Sequence, residues 1–157
     1  MKLISHRGNL NKPDQKRENQ VWAIEECIAK GYKVEVDLWL DDLAHGRCFL
    51  SHNTPKQKDE ISLDWLIKNQ YNLLVHCKNK EAVEFAIEYL DGDWFCHDKD
   101  RWAGTKDGKL ICYSTVDNLI IGLDTILMMP EHHGIEPKDV NTMKIGYVCT
   151  DYIERWQ

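Results

Sequence analysis

The chain has 157 residues, of which 43% are hydrophobic and 29% are charged, and its formal net charge is −6. This length and apolar content predict one folded domain, residues 1–157, and argue against intrinsic disorder. The negative charge disfavours nucleic acid as a partner, because binding to a phosphate backbone favours a basic surface.

Six cysteines occur without a CxxC pair, and most lie in apolar runs typical of strands. We therefore expect them to be reduced and buried. No apolar run reaches the roughly 18 residues expected of a membrane-spanning helix, and the segment MKLISHRGN lacks the apolar stretch of a signal peptide. These features predict a cytoplasmic protein without a membrane span.

Strand-like and helix-like segments alternate along the chain. Eight segments have strand character: residues 2–5, 32–38, 47–51, 72–77, 93–96, 109–113, 125–129 and 144–149. Helical patterns run from about residue 19 to Gly31 and over residues 62–69, 80–90 and 137–143, with a helical turn over 117–123 and a polar turn over 41–46. Such alternation predicts a parallel sheet with right-handed crossovers.

Eight strands suggest an α/β fold of the compact, reduced (β/α)8 TIM-type barrel class with short helices. Barrels of this type usually take about 250 residues, so several helices here must be single turns. An open α/β sheet with fewer strands is the alternative.

The second strand places two carboxylates on one face. Glu35 and Asp37 alternate with Val34, Val36 and Leu38, so the acids point one way and the apolar side chains the other. Packing against helices would desolvate two like charges, so we expect the acids to face the sheet interior, near the carboxyl ends of the strands. A shared cation would relieve their repulsion, and hard cations prefer oxygen ligands.

Other polar residues end neighbouring strands. His6 and Arg7 follow the first strand, His52 follows the third, and His76 and Lys78 share one face of the fourth. We therefore expect them near the acidic pair. We favour no site role for His97 and Asp98, and we expect His132 and His133 to lie in a solvent-facing loop. For Trp39 and Trp102, core or rim packing is favoured over a pocket wall.

The order of these motifs resembles the glycerophosphodiester phosphodiesterases and, more broadly, the phosphatidylinositol-phospholipase-C-like phosphodiesterases. The motifs that carry the resemblance are His6-Arg7-Gly8, Glu18-Asn19 before a helix, Glu35-x-Asp37, and His52, with weaker similarity at LLVHCK (residues 73–78) and IGYVCTDY (residues 145–152). The resemblance implies a (β/α)8 barrel that hydrolyses phosphodiesters with two histidines and a divalent cation.

The resemblance also implies residue roles. It assigns acid–base catalysis to His6 and His52, metal binding to Glu35 and Asp37, substrate binding to Arg7 and Lys78, and a supporting role to Glu18 and Asn19. His76 stands where the family has a third acidic ligand. One divalent cation is expected, Mg²⁺, Ca²⁺ or Mn²⁺, and His76 as a ligand would favour Mn²⁺ or Zn²⁺.

Three positions depart from the family pattern: Arg17 replaces a proline, Asn53 replaces an aspartate, and His76 replaces the acidic ligand.

The expected substrate is a small phosphodiester of the glycerophosphodiester type, and the oligomeric state is left open. Two alternatives stand beside hydrolysis of diesters: a catalytically weakened relative that binds phosphate esters, and a metallohydrolase that acts on phosphomonoesters.

Overall fold

A computed structural model describes residues 1–41, 46–113, 122–140 and 144–157. Its ten strands are β1 Lys2–His6, β2 Lys33–Leu40, β3 Cys48–Leu50, β4 Glu60–Ile61, β5 Leu73–Cys77, β6 Asp93–Phe95, β7 Trp102–Gly104, β8 Leu110–Cys112, β9 Thr125–Met128 and β10 Tyr147–Thr150. Its four α-helices are α1 Val21–Ala29, α2 Leu63–Asn69, α3 Lys80–Tyr89 and α4 Pro137–Val140. The predicted helical turn at 117–123 falls largely outside the described residues, as do most of the predicted turn at 41–46 and the end of the helix predicted at 137–143.

All ten strands belong to one mixed sheet. Parallel pairing runs through β6, β5, β2, β1, β10, β9 and β8 in that spatial order. β3 pairs antiparallel with the end of β2, β4 with β3, and β7 with β8. The α/β class is therefore as predicted, whereas the all-parallel arrangement is wrong at the third strand. The short link between β2 and β3 allows a hairpin but not a parallel crossover.

A closed barrel is not shown. Within the described segments no ladder joins β6 to β8, the two ends of the parallel run. One backbone hydrogen bond connects this region to β6: Lys106 N, in the turn before β8, donates to Trp94 O over 2.9 Å, a normal amide distance. The parallel strands thus form a strongly wound sheet with a link, rather than a ladder, between its ends.

The two faces of the sheet carry different apolar clusters. Val34, Val36 and Leu38 of β2 pack with residues of α1, α2 and α3 in the larger cluster. A smaller cluster fills the opposite face; its members are Ile4, Leu74, Phe95, Ile111, Ile126, Met128 and Cys149. Glu35 pairs in register with Leu74, and Asp37 with His76, so the acids share the face of the smaller cluster.

Two further sequence predictions concern the burial of the cysteines and the lack of a membrane-spanning helix. Five cysteines are buried with free thiols, as predicted, but Cys96 is exposed because it follows the last residue of β6. Among the helices of the described segments, none combines the length and apolarity needed to cross a bilayer.

Candidate functional site

A cavity of about 690 Å³ opens at the carboxyl ends of the parallel strands. Seven of the sequence-predicted site residues line it: His6, Arg7, Glu18, Glu35, His52, His76 and Lys78. The other two, Asp37 and Asn19, are buried and reach this group through direct contacts. The wound sheet therefore brings together side chains that are far apart in the sequence.

The acidic pair is almost completely buried. Glu35 and Asp37 are 1% and 0% exposed. His76 Nδ1 lies 3.2 Å from Asp37 Oδ1 and 3.7 Å from Glu35 Oε1. One ligand atom from each of these three residues lies within 4.8 Å of the others. The group therefore has the donor atoms and the closeness that a single divalent cation requires.

Two carboxylate oxygens of this group have no hydrogen-bond donor. Glu35 Oε2 and Asp37 Oδ1 are buried without one among the described residues, although His76 Nδ1 is within 3.2 Å of the latter. Unpaired buried carboxylate oxygens are costly. A cation would satisfy both, so the residues fit a metal.

The two acids titrate differently. Burial, helped by the charge of Asp37, raises the pKa of Glu35. Burial would also raise the pKa of Asp37, but contacts with His52 and His76 and the charges of Arg7 and Lys78 hold it well below its usual range. Ionisation is therefore favoured at Asp37 over Glu35, and a bound cation would favour ionisation of Glu35 as well.

Asn19 fixes Asp37 from the segment before α1. Its Nδ2 donates to Asp37 Oδ2 over 3.1 Å, and the Asp37 backbone N donates to Asn19 Oδ1 over 3.1 Å. Asn19 has a left-handed backbone with φ of 59°, a conformation that asparagine tolerates better than most residues. The reciprocal pair sets the orientation of the carboxylate.

Arg7 joins the acidic pair to His52. Its Nε lies 2.8 Å from Asp37 Oδ2 without hydrogen-bond alignment, and its Nη1 lies 3.5 Å from Glu18 Oε2. Its Nη2 donates to His52 Nδ1 over 2.6 Å. A guanidinium only donates, so Nδ1 accepts in this contact; the same nitrogen can donate to Asp37 Oδ2, 3.6 Å away, only when it carries a proton. His52 itself is half-exposed at the cavity mouth.

The turn that carries Arg7 depends on the glycine after it. Arg7 and Gly8 have φ values of 54° and 90°. A Cβ at position 8 would lie 3.3 Å from the Ala23 Cβ of α1. Glycine therefore permits both the left-handed turn and the close approach of the helix.

His6 is held by a residue that sequence reasoning missed. Its Nδ1 bonds Asp151 Oδ1 at 2.8 Å, and its Nε2 lies 3.8 Å from Glu35 Oε2. Asn9 Nδ2 also donates to Asp151 Oδ1, over 2.7 Å, and the Asp151 backbone N donates to Glu131 Oε1 over 3.0 Å. The available signal was the acidic residue that directly follows the closing strand in IGYVCTDY.

Asp151 changes the titration of His6. Burial alone would lower the pKa of His6, but the hydrogen bond to Asp151 and the charge of Glu35 outweigh it and raise that pKa. The pKa of Asp151 is lowered, since the hydrogen bond from His6 outweighs burial. The pair therefore favours a protonated imidazole next to an ionised carboxylate.

His76 is oriented by a stack of rings. Its ring lies parallel to Phe95 at 4.5 Å and to His97 at 4.9 Å between centroids. His97 Nε2 is 2.9 Å from the Tyr113 hydroxyl. Burial and the neighbouring His76 lower the pKa of His97, which favours its neutral form.

Several cavity-lining residues differ from expectation. His97 and Asp98 line the cavity although no site role was favoured for them, and His132 and His133 on the 3₁₀ turn Pro130–His133 line it too. Both histidines of that turn are solvent-exposed, as predicted, at the rim of the cavity. Trp39 lines the cavity too, while Trp102 is exposed on β7. Contacts across the wound sheet cause these differences, and strand periodicity alone does not encode them.

Comparisons with known proteins found little. No family model matches the chain, and no curated protein matches it. A solved structure described as "a putative glycerophosphodiester phosphodiesterase from Galdieria sulphuraria" is similar over 99% of this chain and 95% of that one, with 13% identity and a TM-score of 0.49. A likeness of this size establishes no family, and the proposal below rests on the geometry of the site.

Proposed function

We propose that the protein is a metal-dependent phosphodiester hydrolase in which His6 and His52 manage protons. One observation carries the proposal: two imidazoles from separate strand ends approach the same buried acidic pair. His6 Nε2 is 3.8 Å from Glu35 Oε2, and His52 Nδ1 is 3.6 Å from Asp37 Oδ2. Hydrolysis of a phosphodiester needs this combination of charge neutralisation and two proton-transfer groups.

Glu35, Asp37 and His76 would hold the cation. When bound, it would supply positive charge that polarises a phosphoryl oxygen. The imidazole of His76 favours Mn²⁺ or Zn²⁺ over Ca²⁺ or Mg²⁺. The stack on Phe95 and His97 keeps that ring in a fixed plane.

Arg7 and Lys78 would bind the substrate phosphate. Arg7 is anchored by Asp37 and Glu18, and Lys78 Nζ lies 3.5 Å from Asp37 Oδ1. Both side chains line the cavity, so a phosphodiester anion there meets two cationic donors. The guanidinium fork suits two phosphoryl oxygens.

We assign opposite proton transfers to the two histidines. His6, protonated through Asp151, donates to the leaving alcohol oxygen as the P–O bond breaks. His52 accepts the proton of the attacking water or of a neighbouring substrate hydroxyl as the new P–O bond forms. A phosphate that draws the Arg7 donor away from His52 Nδ1 would allow that nitrogen to carry the ring proton and donate it to Asp37, which leaves Nε2 as the unprotonated nitrogen that accepts the proton of the nucleophile. Substrate binding would thus prepare His52 as the base.

The test is hydrolysis of bis(p-nitrophenyl) phosphate with Mn²⁺, with and without a chelator. We expect metal-stimulated release of p-nitrophenolate, and loss of about 10²- to 10⁴-fold in kcat for His6→Ala and for His52→Ala. Glu88→Ala, on the exposed surface of α3, serves as the control and should retain full activity. Activity that survives removal of both histidines would contradict the proposal.

A second candidate function, binding of a phosphate ester without hydrolysis, is favoured by the contacts of Arg7 and Lys78 with Asp37. Arg7 and Lys78 already lie near Asp37, and His76 supplies no negative charge, so the site has its own cations to hold a phosphate ester without turnover. Dimethyl phosphate binding in the absence of any diester or monoester hydrolysis would favour this binding protein. Faster hydrolysis of p-nitrophenyl phosphate than of the diester would instead indicate a phosphomonoesterase.

A further inference from the structure

The opposite end of the sheet carries a second cavity, of about 590 Å³. It lies where the parallel strands begin, so the length of those strands separates it from the candidate site. Three lysines line it: Lys2 at the start of β1, Lys33 at the start of β2, and Lys109 just before β8. Lys33 is two residues before Glu35, so it shares the strand face that carries the acidic pair at the other end.

The positive charge there is incompletely matched. Asp93 is buried and accepts from Lys109 Nζ over 2.7 Å, and its other oxygen accepts from the Asp107 backbone N over 3.2 Å. Asp107 is more exposed and lies 3.7 Å from the same ammonium. Three ammonium groups therefore face two carboxylates, both paired with Lys109, in a chain whose net charge is −6.

The remaining two lysines, Lys2 and Lys33, form no ion pair within the described residues. The Tyr147 ring faces two ammonium groups, with Lys2 Nζ at 5.6 Å and Lys109 Nζ at 5.9 Å from its centroid. A cation–π contact offsets a charge weakly compared with a carboxylate.

Lys33 is more desolvated than the exposed Lys2. Its side chain is half-buried and also borders a small internal space next to Ile4 and Leu74. A partly desolvated ammonium that forms no ion pair within the described segments is a favourable place for an anion to bind.

We propose that this cavity binds a phosphate group through Lys2, Lys33 and Lys109, as a second anion site independent of the candidate catalytic site. Phosphate suits the position because it offers several strong acceptor oxygens to converging ammonium donors. Asn72 and the hydroxyl-bearing Tyr71 also line the cavity and supply further donors. Free phosphate compounds and acidic phospholipid headgroups share this chemistry.

The test is an NMR titration of the full chain with inorganic phosphate, at constant ionic strength and with a chelator present. We expect saturable shifts of the Gly31, Lys33 and Tyr147 backbone amides. Lys33→Met, which keeps an apolar stem and removes the charge, should weaken binding about tenfold or more, equivalent to about 1.4 kcal/mol. Lys68→Met, on the exposed face of α2, should bind like the wild type.

Two further arms make the outcome decisive. Lys2→Met changes an exposed side chain and should weaken phosphate binding without affecting folding. Lys33→Met removes a partly buried charge, so without phosphate its Tm should equal or exceed that of the wild type. Sedimentation with phosphatidylcholine vesicles, with and without phosphatidic acid, identifies a lipid headgroup as the source if only the acidic vesicles bind. Unchanged affinity in both lysine variants, or no binding to either probe, would overturn the proposal.

Discussion

At the scale of single residues, the two candidate catalytic histidines differ in the charge of their partner. His6 Nδ1 bonds the Asp151 carboxylate, whereas His52 Nδ1 accepts from the Arg7 guanidinium. The anionic partner favours the imidazolium form of His6. In the proposed reaction His6 would therefore give a proton, and His52 would take one.

The first prediction concerns Asp151→Asn. The amide cannot stabilise an imidazolium as a carboxylate does, so the pKa of His6, raised in the wild type, should fall. NMR titration of the His6 ring in metal-free protein measures this directly, and an unchanged pKa would contradict the role given to Asp151.

The same substitution should alter stability against pH. A raised pKa means that the native state binds more protons than the unfolded chain above pH 6.5, so the contribution of His6 is complete below 6.5 and is lost as pH rises through the raised value. Urea unfolding of metal-free wild type should therefore show stability falling with pH in that window. Asp151→Asn should reduce this slope.

The second prediction concerns Arg7→Lys. Lysine keeps the positive charge but loses the fork that contacts Asp37, Glu18 and His52 together. We expect kcat/KM for the diester to fall about 10- to 100-fold, since hydrogen bonds to charged groups contribute about 1.5–3 kcal/mol. Arg155→Lys, an exposed arginine, is the matched control, and equal losses in the two variants would refute a specific role for Arg7.

At the scale of elements, β2 organises the molecule. It pairs in parallel with β1 and β5 and carries β3 at its end. The alternation of apolar and acidic residues made this strand and its buried acids predictable from the sequence. The two-residue β4 and the β7 hairpin were not predictable, because such short segments have little periodicity and are specified by partners distant in the sequence.

The third prediction concerns the junction of β2 and α3. The Asn79 side chain caps α3 by accepting from Ala82 N, and it also bonds the Leu40 backbone N and O. Asn79→Ala should cost about 1–3 kcal/mol, because a cap and two strand-end hydrogen bonds are lost together. Urea denaturation measures the change. Asn53→Ala, at an exposed position, should be nearly neutral; a similar loss there would argue against the junction.

At the scale of the whole molecule, the wound sheet separates two kinds of chemistry. Histidines and buried acids gather where the parallel strands end, and lysines gather where they begin. The parallel strand pairing and the acidic pair on one face of β2 were predicted from the sequence, whereas the antiparallel pairing of β3 was not. Three features could not be predicted, because each depends on how far the sheet winds. They are the spacing of β6 from β8, the position of His97 and His133 at the cavity, and the contact of Asp151 with His6.

The most direct test of the account is an anomalous difference map from a crystal of the protein grown with Mn²⁺. We expect one strong peak bounded by Glu35, Asp37 and His76, with the His76 nitrogen within roughly 2.0–2.3 Å of the ion, close to the usual metal–imidazole distance. Glu35→Gln should abolish the peak. A map without density there, or with Mn²⁺ bound elsewhere while the three side chains keep their present contacts, would contradict the metal site and the hydrolysis proposed from it.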